Sequence, residues 1–370
     1  MTVHPSNNTT TELRYIKLFE EFINEGGWST TKTQGTTITP KVIAEVVKIL
    51  DGISKGFNSH LASIDLPSLD FMKPIGSGTW WKEDVENNPD KTYGDVDYLL
   101  AYPTLKLTEK GERENEIATV KLYNSELMTW LSKAKIKEVD LEESKKVSSD
   151  TALKLIVTFP IGDTDGYVQV DLVVTHKDYS AWSVFRLTPI RNVKGFVLGN
   201  LYSSFGEVLD ISIQPRGVRA KFEGEIMQPY SKRANVEERV ISADAKTFMD
   251  DIAKFFWFQS QGADGKPYEP APSLKNWRGV DPNNPKMEDF CQGIRGVAET
   301  LEKLGEFGTT LKYKSASEFL KAVIDQYEKK MMKQYNDSKF NKAESPEAKA
   351  TVEKIRKMIT EYVSKAKSLL

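Results

Sequence analysis

Two short stretches decide the fold. Residues 93–102 read Tyr93-Gly94-Asp95-Val96-Asp97-Tyr98-Leu99-Leu100-Ala101-Tyr102, and residues 167–174 read Tyr167-Val168-Gln169-Val170-Asp171-Leu172-Val173-Val174. Each is a brief apolar run of strand length that carries acids inside or at its start. Asp95 and Asp97 are one residue apart, and alternate residues of a strand share a face, so both carboxylates can reach one cation or two adjacent ones. Asp171 sits among Val and Leu, the pattern of a central, buried strand. A bare carboxylate there would take up a proton or require a partner. A divalent ion shared with Asp95 and Asp97 would supply that partner and relieve the repulsion between those two acids.

Upstream lies Pro74-Ile75-Gly76-Ser77-Gly78, a turn whose glycines let backbone N–H groups approach a phosphate and whose Ser77 adds a hydroxyl. Taken alone, Gly-Ser-Gly is an ordinary turn, and Asp-x-Asp recurs in this chain as Asp163-Thr164-Asp165. The order of the three elements is what singles them out. Between turn and acids runs an acidic segment from Trp80 to Lys91 that begins Trp80-Trp81, a pair suited to sealing a domain edge or to stacking a base.

Working outward, Leu13, Ile16, Phe19 and Ile23 predict a helix over 12–24 that Gly26-Gly27 ends. Pro40, with Thr39 as N-cap, predicts a second helix to about Asn58. Residues 115–136 read as a helix with Leu122, Leu127, Trp130 and Leu131 on one side. Leu153–Phe159 and Tyr167–Val174 predict a hairpin that turns at Asp165-Gly166. Further strands are expected at Val184–Leu187, Val208–Ile213 and Val218–Glu223, the last two joined by Pro215-Arg216-Gly217. The segment from Phe196 to Phe205 reads as helical, and the pattern is helical from about 235, with helices at 244–259, 287–304, 315–336 and 346–368 and a loop over 261–286. The expected class is α+β: a mixed β-sheet with flanking helices and a mainly helical C-terminal domain. The expected domains are N-terminal helices over 1–60, a catalytic domain over 61–230 and a helical domain over 231–370.

The 370 residues are 28% charged with a formal net charge of −2, which excludes a disordered chain and a uniformly basic nucleic-acid binder. No apolar run reaches the length of a membrane span, and the polar start predicts no secretion, so a cytoplasmic location is expected. One cysteine, Cys291, and three histidines argue against zinc and thiol chemistry and leave oxygen ligands and Mg²⁺. Charge is uneven along the chain: residues 310–370 hold 14 Lys and Arg against eight Asp and Glu. That tail is either a track for a phosphate backbone, RNA or DNA, or a set of solvated helix faces.

Ile75-Gly76-Ser77, Asp95-Val96-Asp97 and Asp171 together resemble the DNA polymerase beta-like nucleotidyltransferase superfamily over roughly residues 70–225. Asn24-Glu25-Gly26-Gly27, Tyr93–Asp97 and Gly166–Asp171 look like the nucleotidyltransferase-like proteins of tailed bacteriophages, which would place the protein in the host cytoplasm. The Trp80–Lys91 spacer is longer than is usual in the superfamily. The resemblance implies transfer of a nucleoside monophosphate from an NTP, ATP among them, to a hydroxyl, with pyrophosphate released. It implies two Mg²⁺ or Mn²⁺ ions on Asp95, Asp97 and Asp171, with Asp171 serving the attacking hydroxyl. Gly76 and Ser77 would hold the β- and γ-phosphates. Arg186, Arg191, Lys194, Tyr202 and Ser203 are further candidates for phosphate and sugar contacts, each with the plainer alternative of a surface cation or a core tyrosine. A nucleic-acid 3′ end is the favoured acceptor; a protein or small molecule, or a non-catalytic binding protein that keeps the fold, are the alternatives.

Overall fold

The structure is a computed structural model that describes residues 37–93, 96–109, 112–149, 152–161, 164–190, 195–231, 236–260, 265–277, 281, 284, 286–304, 312–336 and 346–370. The expected helix over 12–24 and the motif Asn24–Gly27 lie outside them. The described residues are of mixed helix-and-sheet class, with eleven α-helices and two four-stranded sheets, and they divide into two compact units at Ser180–Ala181. The boundary expected at 230/231 falls inside the second unit.

The first unit opens with α1 (Pro40–Ser63). Thr39 caps it through its hydroxyl, which accepts from the Val42 N–H at 3.4 Å, and Pro40 occupies the first turn. The helix runs a full turn past Asn58. Ile43, Val46, Leu50, Ile53, Phe57 and Leu61 recur at helical spacing and are all buried. β1 (Asp70–Ile75) follows, then a 3₁₀ turn over Gly76–Trp80, α2 (Trp81–Asn87), β2 (Val96–Tyr102), α3 (Glu112–Ala134), α4 (Leu141–Val147), β3 (Leu153–Ile161) and β4 (Thr164–His176). The strand order is β1-β2-β4-β3. β2 and β4 are central and parallel, and each edge strand is antiparallel to its neighbour.

Alternation along these strands separates two faces. Val96, Tyr98, Leu100 and Tyr102 of β2, with Val168, Val170 and Leu172 of β4, point into a core shared with α1 and α3. The buried side of α3 is made by Val120, Tyr123, Leu127 and Leu131, while Leu122 is half-buried. α1 and α3 approach closely at Gly56, where a β-carbon would fall 2.6 Å from the Trp130 ring. The opposite face carries the acids.

Several expectations need correction. The β3–β4 hairpin forms, but Ile161 pairs with Thr164, so Asp165 and Gly166 lie inside the ladder instead of at its turn. The decisive constraint is register: continuing the alternation of Val157 and Phe159 extends β3 to Ile161. β1 has no counterpart in the sequence reading, because Pro74 and the charges of Asp70 and Lys73 obscure the strand pattern; its register with β2 is irregular between Phe71 and Lys73.

In the second unit, Val184–Leu187 belongs to a helix, α5 (Ser180–Leu187), whose buried Trp182, Ser183, Val184 and Phe185 form a run too short for periodicity to tell helix from strand. α6 (Gly195–Val208) includes Val208, and β5 is only Ser212–Gln214. The Pro215-Arg216 turn joins β5 to β6 (Gly217–Glu223) as expected. β7 (Ile226–Gln228) and β8 (Glu237–Ser242) both pair with β6, so the helical pattern begins after Ser242 and not at 235. α7 (Phe248–Gln259), α8 (Pro272–Asn276, inside the expected loop), α9 (Met287–Glu302), α10 (Ala316–Asn336) and α11 (Pro346–Leu369) complete the unit. They surround a core of Trp182, Phe185, Phe248, Trp277, Phe290 and Tyr327.

Candidate functional site

The parallel ladder of β2 and β4 pairs Asp97 directly with Asp171. Register partners lie side by side on one face, so the two carboxylates project from adjacent central strands in the same direction. That face is opposite the Val96–Tyr98–Leu100 core, and both aspartates are half-buried. Asp95 lies outside the described residues, and so do Arg191 and Lys194. Among the described residues no cluster of three or more His, Cys, Asp or Glu has metal-binding geometry.

β1 brings the Gly-Ser turn to the acids. Its last residue, Ile75, pairs with Asp97, and the chain turns at Gly76 in the left-handed region (φ +60°). A β-carbon on Gly76 would fall 2.9 Å from Asp97 Oδ2, so only glycine lets the backbone lie against this carboxylate. Ser77 is exposed, and the 3₁₀ turn is closed by the Thr79 hydroxyl donating to the Gly76 carbonyl at 2.9 Å.

The Trp80–Lys91 segment is an ordered part of this unit. Trp80 is buried, and Trp81 packs partly buried against the core, so the pair closes one helical turn and starts another. Asp84 of α2 is fully buried and anchors the segment: Lys91 Nζ donates to it at 2.6 Å, the Tyr93 hydroxyl at 2.5 Å and Asn88 Nδ2 at 3.2 Å. Burial alone would raise the Asp84 carboxyl, but these donors outweigh it and hold it below its ordinary value. Tyr93 is in turn bridged to Ile38, its N–H donating to the Ile38 carbonyl at 2.8 Å, which fixes where the chain enters the acid-bearing strand.

Three residues on the acidic face escaped the sequence reading. Lys154 of β3 is the register partner of Asp171, and its Nζ lies 2.9 Å from Asp171 Oδ2. Gln169, two residues before Asp171 on the same face, donates from Nε2 to Oδ1 at 2.7 Å. Lys73 of β1 pairs with Leu99 and so shares the face of Asp97; burial first, then the neighbouring Lys82 charge, lowers its ammonium from the ordinary value. The β3–β4 register would have exposed Lys154, since it follows from continuing the strand alternation.

The remaining candidates belong to the second unit. Arg186 and Ser203 line one cleft of about 890 Å³, together with Glu207, Asp210, Asp325 and Lys329. Arg186 donates from Nε to the Ile213 carbonyl at 3.2 Å and stacks 4.2 Å from the Tyr202 ring; burial lowers its guanidinium from the ordinary value. Ser203 accepts from Lys330 Nζ at 2.8 Å. Tyr202 is a core residue, 3% exposed, and its ring packs against Phe185, Phe248 and Phe290.

In the basic tail, Phe319, Val323, Tyr327 and Met331 of α10 and Ile359, Val363 and Ala366 of α11 are buried in the core. Lys330, Lys365 and Lys367 pair with Glu207, Glu288 and Glu328. Lys321, Lys329 and Lys333 of α10 are exposed with no carboxylate at ion-pair distance among the described residues. At 100° per residue they fall within about a third of the helix circumference. No described helix is long and apolar enough to cross a membrane.

No protein-family model matches the chain, and no curated protein matches it. Among solved structures it is similar to polymerase beta of Leishmania infantum, solved as a ternary P/T complex, at 15% identity and a TM-score of 0.33. The match covers 55% of this chain and spans 60% of the length of that one. A likeness this slight leaves function to the geometry of the site.

Proposed function

We propose that the protein is a metal-dependent nucleotidyltransferase that moves a nucleoside monophosphate from an NTP to an acceptor hydroxyl. The observation that carries this is the register pairing of Asp97 with Asp171, with the left-handed turn at Gly76 pressed against the Asp97 carboxylate. Two acids aimed from neighbouring strands, beside a backbone turn that only glycine can make, suit divalent cations and a phosphate chain.

The donors are all oxygen, and they fit Mg²⁺ or Mn²⁺: Asp97 and Asp171 would hold the ions, with Asp95 as the third ligand. Bound there, the two ions would neutralise charge at the α-phosphate and lower the pKa of the attacking hydroxyl. The chain's own residues do the rest. Gly76 and Ser77 present backbone N–H groups and a hydroxyl to the β- and γ-phosphates, and Lys73 adds positive charge on the same face. Asp171 accepts the proton of the acceptor hydroxyl. Arg186, Arg191, Lys194 and Ser203 belong to the second unit and are proposed only as nucleotide contacts of that unit. As a functional division, N-terminal helices over 1–60, catalysis over 61–230 and a helical domain over 231–370 are the proposed assignment, although the compact units divide at Ser180–Ala181. Lys321, Lys329 and Lys333 of α10, which have no carboxylate at ion-pair distance among the described residues, favour a nucleic-acid acceptor, RNA or DNA, bound through its phosphates.

The test is incubation of purified protein with Mg²⁺ or Mn²⁺, each α-labelled NTP and a panel of RNA, DNA and protein acceptors. Label transferred to a nucleic-acid 3′ end supports the reading; label on protein alone overturns the acceptor, and no transfer from any NTP overturns the reaction.

A further inference from the structure

Asp171 is electrostatically complete without a metal ion. The Lys154 ammonium sits 2.9 Å from Oδ2, the Gln169 amide 2.7 Å from Oδ1, and the Lys and Asp side chains are 21% and 23% exposed. The pairing is built into the sheet, because Lys154 and Asp171 are direct partners in the β3–β4 ladder. Ser148 braces it: the Ser148 hydroxyl donates to the Lys154 carbonyl and accepts from its N–H, both at 2.9 Å, which fixes the backbone from which Lys154 projects.

A divalent ion bound to Oδ2 at about 2.1 Å would come within about 5 Å of the ammonium. Two positive charges against one at that separation, in a half-buried site, repel strongly. We propose that Lys154 is the resident cation of Asp171: it neutralises this acid in the metal-free protein and competes with the divalent ion for it. The inference rests on the metal-dependent reading above. Its consequence is order of loading. The protein alone binds divalent metal weakly at Asp171, and the negative charge of a bound triphosphate offsets the repulsion, so metal and nucleotide load together.

The test measures Mn²⁺ alone, without nucleotide, by the spin-resonance signal of the free ion. Wild type is compared with Lys154→Met, Lys154→Gln and Lys154→Arg, each checked for native circular dichroism. Lys154→Met and Lys154→Gln are expected to bind Mn²⁺ at least about tenfold more tightly than wild type, from the repulsion removed. Lys154→Arg, which keeps the charge, is expected to stay near wild type, and adding Asp171→Asn to Lys154→Met is expected to abolish the gain. A purely structural lysine would lower thermal stability without raising metal affinity. Equal or weaker Mn²⁺ binding in both neutral variants, or no Mn²⁺ binding by any of the proteins, overturns the proposal. Failure of the reaction itself is seen separately, as absence of transfer from every NTP whatever the Mn²⁺ affinities are.

Discussion

Gly76 and Asp97 meet so closely that a single methyl group cannot be placed between them: a β-carbon on Gly76 would stand 2.9 Å from Asp97 Oδ2. The contact joins the turn after β1 to the acid on β2, and both belong to the face that carries Asp171. Gly76→Ala adds that clash to the strain of a positive φ. The expected cost is about 1–3 kcal/mol of stability, read from urea denaturation midpoints. NMP transfer is expected to fall more than stability does, because Asp97 must rotate away. A variant with wild-type stability and activity would show that the close approach is not needed.

Asp84 gives a pH signature. Its carboxyl is held below its ordinary value when folded, so the stability it contributes is full above the unfolded-state value, about 3.9, and is lost as pH falls through the folded value. Asp84→Asn is expected to cost about 3 kcal/mol at pH 7, since it strips charge from a buried carboxylate holding Lys91 and Tyr93. The gap between wild type and variant is expected to narrow as pH falls below about 4. Denaturation curves at pH 3 to 7 check this; a gap that widens in acid would contradict it.

Tyr202 separates packing from binding. Its hydroxyl is buried with no hydrogen-bond partner among the described residues, and burial raises its pKa. Tyr202→Phe removes a polar atom that gains nothing, so stability is expected to stay within about 1 kcal/mol of wild type or to rise slightly. Nucleotide affinity is expected to be unchanged, because the ring that supports Arg186 remains. Calorimetry with an NTP and thermal unfolding measure the two effects.

The exposed lysines of α10 and α11 divide into those with a carboxylate partner and those with none among the described residues. Changing Lys321, Lys329 and Lys333 together to Gln is expected to weaken RNA or DNA binding at low salt and to reduce the steepness of its salt dependence by up to about three counterions. Changing Lys365 and Lys367, which pair with Glu288 and Glu328, is expected to alter stability slightly and salt dependence little. Equal effects of the two sets on the salt slope would argue against a phosphate track on α10.

Much of this was legible in the sequence, for identifiable reasons. Val96–Tyr102 is a strand with the bounds its apolar run suggests, and Asp171 is on a central strand because Val and Leu occupy both of its faces. The long helices declare themselves through periodicity and through Thr39-Pro40. What escaped depends on pairing between distant segments. Asp165-Gly166 has turn chemistry, but the ladder continues through it to Thr164. Lys154 looks like a surface lysine until register sets it against Asp171. Tyr202 is a ligand contact by the family resemblance and a core residue by its environment, and only the aromatic cluster around it distinguishes the two.

The most direct measurement of the central claim is transfer of label from α-labelled NTPs, with Mn²⁺ or Mg²⁺, by wild type, Asp97→Asn and Asp171→Asn, each shown to be folded. Metal-dependent transfer by wild type that is abolished by chelation and reduced on the order of 10²-fold or more in each variant is the expected result. Transfer that persists undiminished in both variants would contradict the pairing of Asp97 and Asp171 as the metal-holding centre of the site.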